Sequence, residues 1–175
     1  MKTANTELRF DGSSWGLPDA RREAAKVLEN HALVKTLLQL LFSGNGHIRQ
    51  RAADTARRVT EKNRELLAPH AERLLGLFSE SSTDNWRTRA HLGLVVARIA
   101  KTASQRQRVA GLLLPLYYDS SNVVRCTAIE GWGILSACEP ALRAQFRPLL
   151  EEALSTGTLA MQNRARYALT ERGHR

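Results

Sequence analysis

The sequence contains few of the features from which disulfide-stabilised, membrane or β-rich proteins are built. Its two cysteines in 175 residues argue against a disulfide framework. No apolar run approaches the roughly 20 residues of a membrane-spanning helix, and no run alternates apolar and polar residues as a half-buried strand does. The residues that follow Met1 lack the apolar core of a secretory signal. We therefore expect an all-α cytoplasmic protein without a membrane partner.

Residue patterns typical of catalytic and cofactor sites are also missing. The five histidines show no metal-ligand spacing, and Cys126 and Cys138 are farther apart than the close pairs of zinc sites. The sequence has neither a Gly-rich phosphate loop nor a nucleophile motif. We therefore expect no enzyme activity, no metal and no cofactor.

A short phrase recurs along the chain at a nearly constant interval. Its last residues are Ala52, Ala90, Ala128 and Ala165, which lie 38, 38 and 37 residues apart. A fixed period of this length is typical of repeat proteins, which stack copies of one supersecondary unit. The phrase reads Ile-Arg-Gln-Arg-Ala at 48–52, Trp-Arg-Thr-Arg-Ala at 86–90, Val-Arg-Cys-Thr-Ala at 124–128 and, more weakly, Met-Gln-Asn-Arg-Ala at 161–165.

Each unit is predicted to contain two helices. Apolar residues recur at spacings of three and four after each phrase, which predicts a first helix. Second helices are predicted over 66–78, 106–118 and 142–154, with polar turns between the units. A column of small residues in the first helices indicates close helix packing, because glycine inside a helix costs about 1 kcal/mol relative to alanine. That column contains Thr55, Gly93, Gly131 and Ala168.

The two ends of the chain are predicted to differ from the repeats, as terminal units of stacked proteins do. Residues 1–18 read as a strap whose aromatic side chains cover the end of the stack. Trp132 is predicted to lie in the core, and Trp86 is predicted to be packed at the start of its helix. The single domain, 1–175, is divided into a strap at 1–18, a helical cap at 19–43, repeats at 44–80, 81–118 and 119–155, and a capping helix at 156–175.

The net charge of +9 is concentrated in the middle of the chain. No carboxylate occurs between Asp84 and Asp119, a stretch that contains six basic residues. A local positive field favours acidic partners and accelerates their encounter. Because most of the basic residues are arginines, amino-acid composition alone is the alternative explanation.

The repeated units resemble HEAT-type repeats. The phrase Asp-Ser-Ser-Asn-Val-Val-Arg at 119–125, followed by Ala128, is close to that family's pattern of an Asp, a turn and Val-Arg before an alanine-rich helix. The other copies depart from the pattern, since the copy at 43–52 lacks the Asp and the last has Gln162 in place of the Arg. The resemblance covers roughly residues 43–170. It implies a right-handed α-α superhelix, a HEAT-like solenoid, whose second helices line a concave partner-binding face.

The arginines of the phrase have two readings. Arg49, Arg87 and Arg125 are interpreted mainly as joints between units, because a guanidinium offers five fixed donors. The alternative is a ladder that contacts phosphates or acidic side chains. The neighbouring residues predicted to be more exposed are Arg51, Arg89 and Arg164.

The sequence favours a non-enzymatic scaffold that recognises an acidic protein partner through a basic concave face. Nucleic-acid binding through phosphate contacts is the alternative, and binding of that kind weakens steeply with salt. One HEAT-like family excises alkylated DNA bases with aromatic and acidic residues, but Asp84 beside Trp86 is better explained as a helix cap. The predicted partner-binding residues are Arg73, Arg89, Arg98, Lys101, Arg106, Arg108, Arg143 and Arg147.

Overall fold

The computed structural model describes residues 7–10 and 15–170 of the chain. All regular secondary structure in this part is helical, which confirms an all-α protein. No helix of the described part is long and apolar enough to cross a bilayer. The nine α-helices of the described part are α1 (Leu17–Glu29), α2 (Leu33–Leu41), α3 (Gly46–Lys62), α4 (Ala71–Glu80), α5 (Trp86–Ile99), α6 (Ala103–Tyr117), α7 (Asn122–Cys138), α8 (Pro140–Thr156) and α9 (Leu159–Leu169).

Polar side chains in the turns start several of these helices. The Asn45 side chain accepts hydrogen bonds from the amides of His47 and Ile48, and Asn85 accepts one from the amide of Thr88. Such caps satisfy amides that have no partner within the helix. Three of the four turns between units therefore supply the side-chain caps that their composition predicts, whereas Ser121 before α7 makes none.

The second helix of the first repeat is shorter than predicted. The sequence predicts it from Leu66, whereas α4 begins at Ala71. Two short 3₁₀ turns, Arg64–Leu66 and Ala68–His70, precede it. Pro69 lies in the second turn, and proline both lacks an amide donor and disfavours the α conformation in the residue before it.

Helix α6 begins earlier than predicted. Its predicted start is Arg106, but Thr102 and Gln105 form a capping box that starts the helix at Ala103. Leu113 in its middle turn is fully buried. The last helix, α9, ends at Leu169. Its predicted end at Arg172 lies outside the described residues. Residues 1–6 and 11–14 of the predicted strap also lie outside them.

The odd-numbered helices pack one against the next. Helix α1 contacts α3, α3 contacts α5, α5 contacts α7, and α7 contacts α9. The even-numbered helices pack against this row, α2 on α3, α4 on α5, α6 on α5 and α7, and α8 on α7 and α9. The predicted first helices of the repeats therefore form one continuous row.

The predicted core of this row is confirmed by burial. Ala52, Ala90, Ala128 and Ala165, the last residues of the repeated phrase, are all buried. Trp132 is fully buried, its ring stacks on Phe146 with centroids 4.5 Å apart, and its indole N–H donates to the Ala110 carbonyl at 3.2 Å.

Candidate functional site

An open cavity of about 680 Å³ lies on the row of odd-numbered helices. The family resemblance implies a concave face on the second helices, whereas the side chains that line this cavity belong chiefly to first helices. Most of the residues that line the cavity are polar or charged. Its lining residues are Thr60, Glu61, Lys62, Arg64, Arg98, Glu130, Ile134, Asn163, Arg164 and Tyr167.

Glu130 holds two arginines of this cavity. Arg98 Nη2 donates to Glu130 Oε1 at 3.2 Å, and Arg164 Nε lies 3.5 Å from Glu130 Oε2. Arg98 also donates to the Arg57 carbonyl at 3.3 Å, and burial lowers the pKa of the Arg98 guanidinium. The sequence does not reveal this arrangement, because the three charged groups come from α5, α7 and α9 at no helical spacing.

A second, smaller cavity of about 310 Å³ adjoins the first. Arg64 and Arg98 line both cavities, so the two form one surface. We call the residues that line the two cavities the basic groove. It contains six basic side chains against three carboxylates, and the additional residues of the second cavity are Glu65, Ala68, Ala100, Lys101, Arg106 and Cys138.

Three of the predicted partner-binding residues, Arg98, Lys101 and Arg106, lie in the basic groove. The Lys101 ammonium lies 2.5 Å from Glu65 Oε2 and lowers the pKa of that carboxyl. Arg106 Nη2 donates to Glu139 at 3.1 Å. Carboxylates thus orient cations of the groove, although the groove contains more cations than carboxylates.

Four other predicted residues lie on even-numbered helices and line neither cavity of the groove. Arg73 is on α4, Arg108 on α6, and Arg143 and Arg147 on α8. The structure therefore does not bring the eight predicted residues onto a single surface. Arg73 lies over the Phe42 ring at 4.2 Å, and Arg108 contacts Glu72 at 2.6 Å. Arg143 donates to the Ser136 carbonyl at 3.5 Å, and Arg147 contacts Glu151 at 3.3 Å.

The remaining predicted residue, Arg89, serves as a joint rather than as an exposed cation. Its guanidinium lies 2.5 Å from Asp119 Oδ2 and donates to the Asp84 carbonyl at 2.8 Å. The predicted exposure of Arg51 is also wrong, because Arg51 donates to the Phe10 carbonyl and lies over the Trp15 ring. Inter-element contacts of this kind are not visible in a helical spacing.

The arginine column of the repeated phrase divides into different roles. Arg49 donates to Asp84 through Nε at 3.0 Å and to the Ser43 carbonyl at 2.7 Å, as expected for a joint between units. Arg125 contacts Asn122 at 3.3 Å. Arg87 is exposed and lies over the ring of Trp86. Because it accepts from Arg49, Asp84 is part of a joint between units.

In the folded protein, carboxylates from other parts of the chain lie next to the basic stretch between Asp84 and Asp119. Five of its cations each contact such an acidic side chain: Arg89, Arg98, Lys101, Arg106 and Arg108. The interval between Asp84 and Asp119 therefore overstates the local positive field. The acidic partners are, in the same order, Asp119, Glu130, Glu65, Glu139 and Glu72.

A second charged cluster surrounds His91 on α5. Burial lowers the pKa of His91 to about 4, against the opposing effect of Asp54, whose Oδ1 lies 3.9 Å from Nε2. Arg57, Arg58 and Arg87 lower this pKa further. The imidazole is therefore neutral near pH 7.

The described residues contain no group of three or more His, Cys, Asp or Glu side chains that could hold a metal ion. The two thiols are unpaired and differ in environment. Cys126 is buried, and burial raises its pKa, whereas Cys138 is exposed in the basic groove. The groove therefore presents charged donors and carboxylates for binding.

No protein-family model, curated protein or solved structure matches the chain.

Proposed function

We propose that the protein is a non-enzymatic, HEAT-type helical-repeat module that binds an acidic segment of a protein partner through the basic groove. The observation that carries the proposal is the excess of six basic side chains over three carboxylates around two adjoining cavities. An excess of one sign in a concave site concentrates partners of the other sign.

The proposal includes a right-handed superhelix and a cytoplasmic location. The serial packing of α1, α3, α5, α7 and α9 supports the superhelix, because each unit then contacts its neighbours in the row. The partner-binding face, however, is assigned chiefly to these first helices and to the segments that follow α3 and α5, rather than to the second helices that the resemblance implies.

The mixture of charges favours a protein segment over a nucleic acid. Glu61, Glu65 and Glu130 lie among the cations, where they would repel a continuous row of phosphates. Ile134 and Ala100 add apolar contact area that a sugar-phosphate backbone does not use. A peptide with spaced carboxylates complements both features.

Charge reversal in the groove tests the proposal. The variant Arg64→Glu/Lys101→Glu should weaken binding of a short fluorescent Asp/Glu-rich peptide by about tenfold or more, since two attractions become repulsions. Both side chains are more than half exposed, at 60% and 56%, so the fold should be retained. Fluorescence anisotropy at low and physiological ionic strength measures the affinity.

The matched control is Arg108→Glu/Arg147→Glu, which changes the net charge by the same amount. These arginines are 52% and 54% exposed and, like Lys101, each contacts a glutamate, but neither lines the groove. Equal losses in the control and the groove variant would overturn the assignment. Tighter binding of mixed-sequence DNA than of the peptide, abolished by the groove variant, would establish the nucleic-acid alternative instead.

A further inference from the structure

A groove between α1 and α3 differs from the basic groove in having an apolar floor. Its volume is about 480 Å³, which lies in the range of pockets that accept a ligand or a few side chains. Ala24, Ala25 and Leu28 of α1 form the apolar part. Leu28 lies four residues after Ala24 and three after Ala25, so its side chain adjoins both on the helix surface.

The rim of this α1–α3 groove is basic. Arg21 stands on α1, and Arg57, Arg58 and Lys62 stand on α3, against a single carboxylate, Glu61. Two of these cations have acidic partners. Arg57 Nη1 lies 3.5 Å from Glu61 Oε2, and Arg58 Nε lies 3.1 Å from Asp54 Oδ1.

Two of the rim cations are available to a ligand. Arg21 and Lys62 are exposed, and neither makes a hydrogen bond or an ion pair with any residue that the structure describes. They stand on the two helices that border the apolar floor. The groove thus offers an apolar seat flanked by two cations that pair with none of the described residues.

The α1–α3 groove is continuous with the basic groove. Glu61 and Lys62 line both the 480 Å³ and the 680 Å³ cavities. A segment of extended chain that lies in one can therefore continue into the other.

We propose that the α1–α3 groove is a docking site for an acidic partner segment that carries a large apolar side chain between its carboxylates. The apolar side chain would occupy the seat formed by Ala25 and Leu28, and its flanking carboxylates would pair with Arg21 and Lys62. This inference rests on the proposed function and specifies the partner's chemistry. A nucleic acid lacks an apolar side chain for this seat, and an entirely acidic peptide leaves the seat unused.

The test compares two short peptides of equal net charge, one of Asp and Glu alone and one with leucine between the carboxylates. Full-length protein should bind the leucine peptide about tenfold more tightly, because the leucine is removed from water. Ala25→Gln places a polar side chain in the seat and should abolish this preference. Isothermal titration calorimetry with both peptides measures it.

Ala144→Gln is the matched control. Ala25 and Ala144 are both exposed alanines inside helices, on α1 and α8, so the two substitutions change helix propensity equally. The control should keep the preference for leucine. Thermal melts of both variants verify folding, and Arg21→Gln/Lys62→Gln, which leaves the apolar seat intact, should weaken both peptides about equally.

The outcomes separate this inference from the proposed function. Equal binding of the two peptides, with no effect of Ala25→Gln, would overturn the docking site while the basic groove still binds acidic segments. If Ala25→Gln removes the preference for leucine while Arg64→Glu/Lys101→Glu leaves the affinities of both peptides unchanged, the docking site is supported and the role of the basic groove is refuted. Absence of binding by either peptide would overturn both.

Discussion

At the scale of single residues, Gly133 permits the close approach of α7 and α9. A Cβ atom placed on Gly133 would lie 2.9 Å from the Cβ of Ala168 and 3.2 Å from its Cα. Side-chain rotation cannot relieve a contact with these atoms, so the helices would have to separate. At Gly131 the corresponding Cβ would meet the end of the Leu113 side chain at 2.6 Å, which a rotamer change can relieve in part.

Gly133→Ala should therefore destabilise the protein by about 1–3 kcal/mol, the usual cost of overpacking. The matched variant is Gly111→Ala in α6, where an added Cβ meets no atom within 4 Å. Because alanine is the better helix former, this control should stabilise the protein by up to about 1 kcal/mol. Urea unfolding measures both changes, and effects of the same sign would contradict the close approach of α7 and α9.

His91 makes a residue-scale contribution to the pH dependence of stability. Its pKa of about 4 in the folded protein is below the value of about 6.5 for an unperturbed histidine. Between these two values the unfolded chain binds more protons than the folded chain. The unfolding free energy therefore decreases as the pH falls from about 6.5 to 4, and His91 has no such effect above this range.

His91→Gln should reduce this acid-induced loss of stability by about 3 kcal/mol, because glutamine does not titrate. Urea unfolding of the wild type and the variant at several pH values between 4 and 7 measures the difference in slope. His47→Gln, at an exposed position at the start of α3, is the control and should keep the wild-type slope. A wild-type slope in His91→Gln would show that the imidazole is not held neutral.

At the scale of elements, a buried ion pair attaches the N-terminal segment to α1. Glu23 and Lys26 are both buried, and the Lys26 ammonium lies 2.9 Å from Glu23 Oε2. Lys26 also donates to the Glu7 carbonyl at 3.0 Å, and the Arg9 amide donates to Glu23 at 3.1 Å. Phe10 follows this attachment and is buried, as the predicted strap requires.

Removal of Glu23 should cost about 3–5 kcal/mol, because the buried Lys26 ammonium then loses its carboxylate. Removal of Lys26 should cost less, because Arg22 Nε still lies 3.2 Å from Glu23 Oε1. Glu23→Leu and Lys26→Met are the two single variants. The double variant should lose less than the sum of the single losses, since it leaves no buried charge. Chemical denaturation of the four proteins of this cycle measures the coupling, and additive losses would show that the charges do not depend on each other.

At this scale, local chemistry decides where most helices lie and begin, and the sequence predicts these positions when that chemistry is taken into account. The helical period of the repeated phrase correctly predicts the first helices α3, α5 and α7. The start of α6 was recoverable from Thr102 and Gln105, whose spacing is that of a capping box. The late start of α4 was similarly indicated by Pro69.

At the scale of the whole molecule, the cations that cluster in the fold are not the same set as those that cluster in the sequence. The basic interval of the middle repeat is paired with acidic side chains from elsewhere, whereas the basic groove includes Lys62, Arg64 and Arg164 from outside that interval. The groove still shares Arg98, Lys101 and Arg106 with the predicted site. Half of its cations were therefore predictable as binding candidates, and the others depended on how the helices pack.

The sequence by itself determined the all-α class, the buried alanines of the phrase and the core position of Trp132. These properties depend on short-range rules, since helical periodicity and capping act within a few residues. Only the tertiary structure decided that Arg89 is a joint, that Gly133 touches Ala168, and that the cavities lie on the odd-numbered helices. Those features depend on distances between residues about 30 or more apart in the chain, which the packing of one helix on another determines.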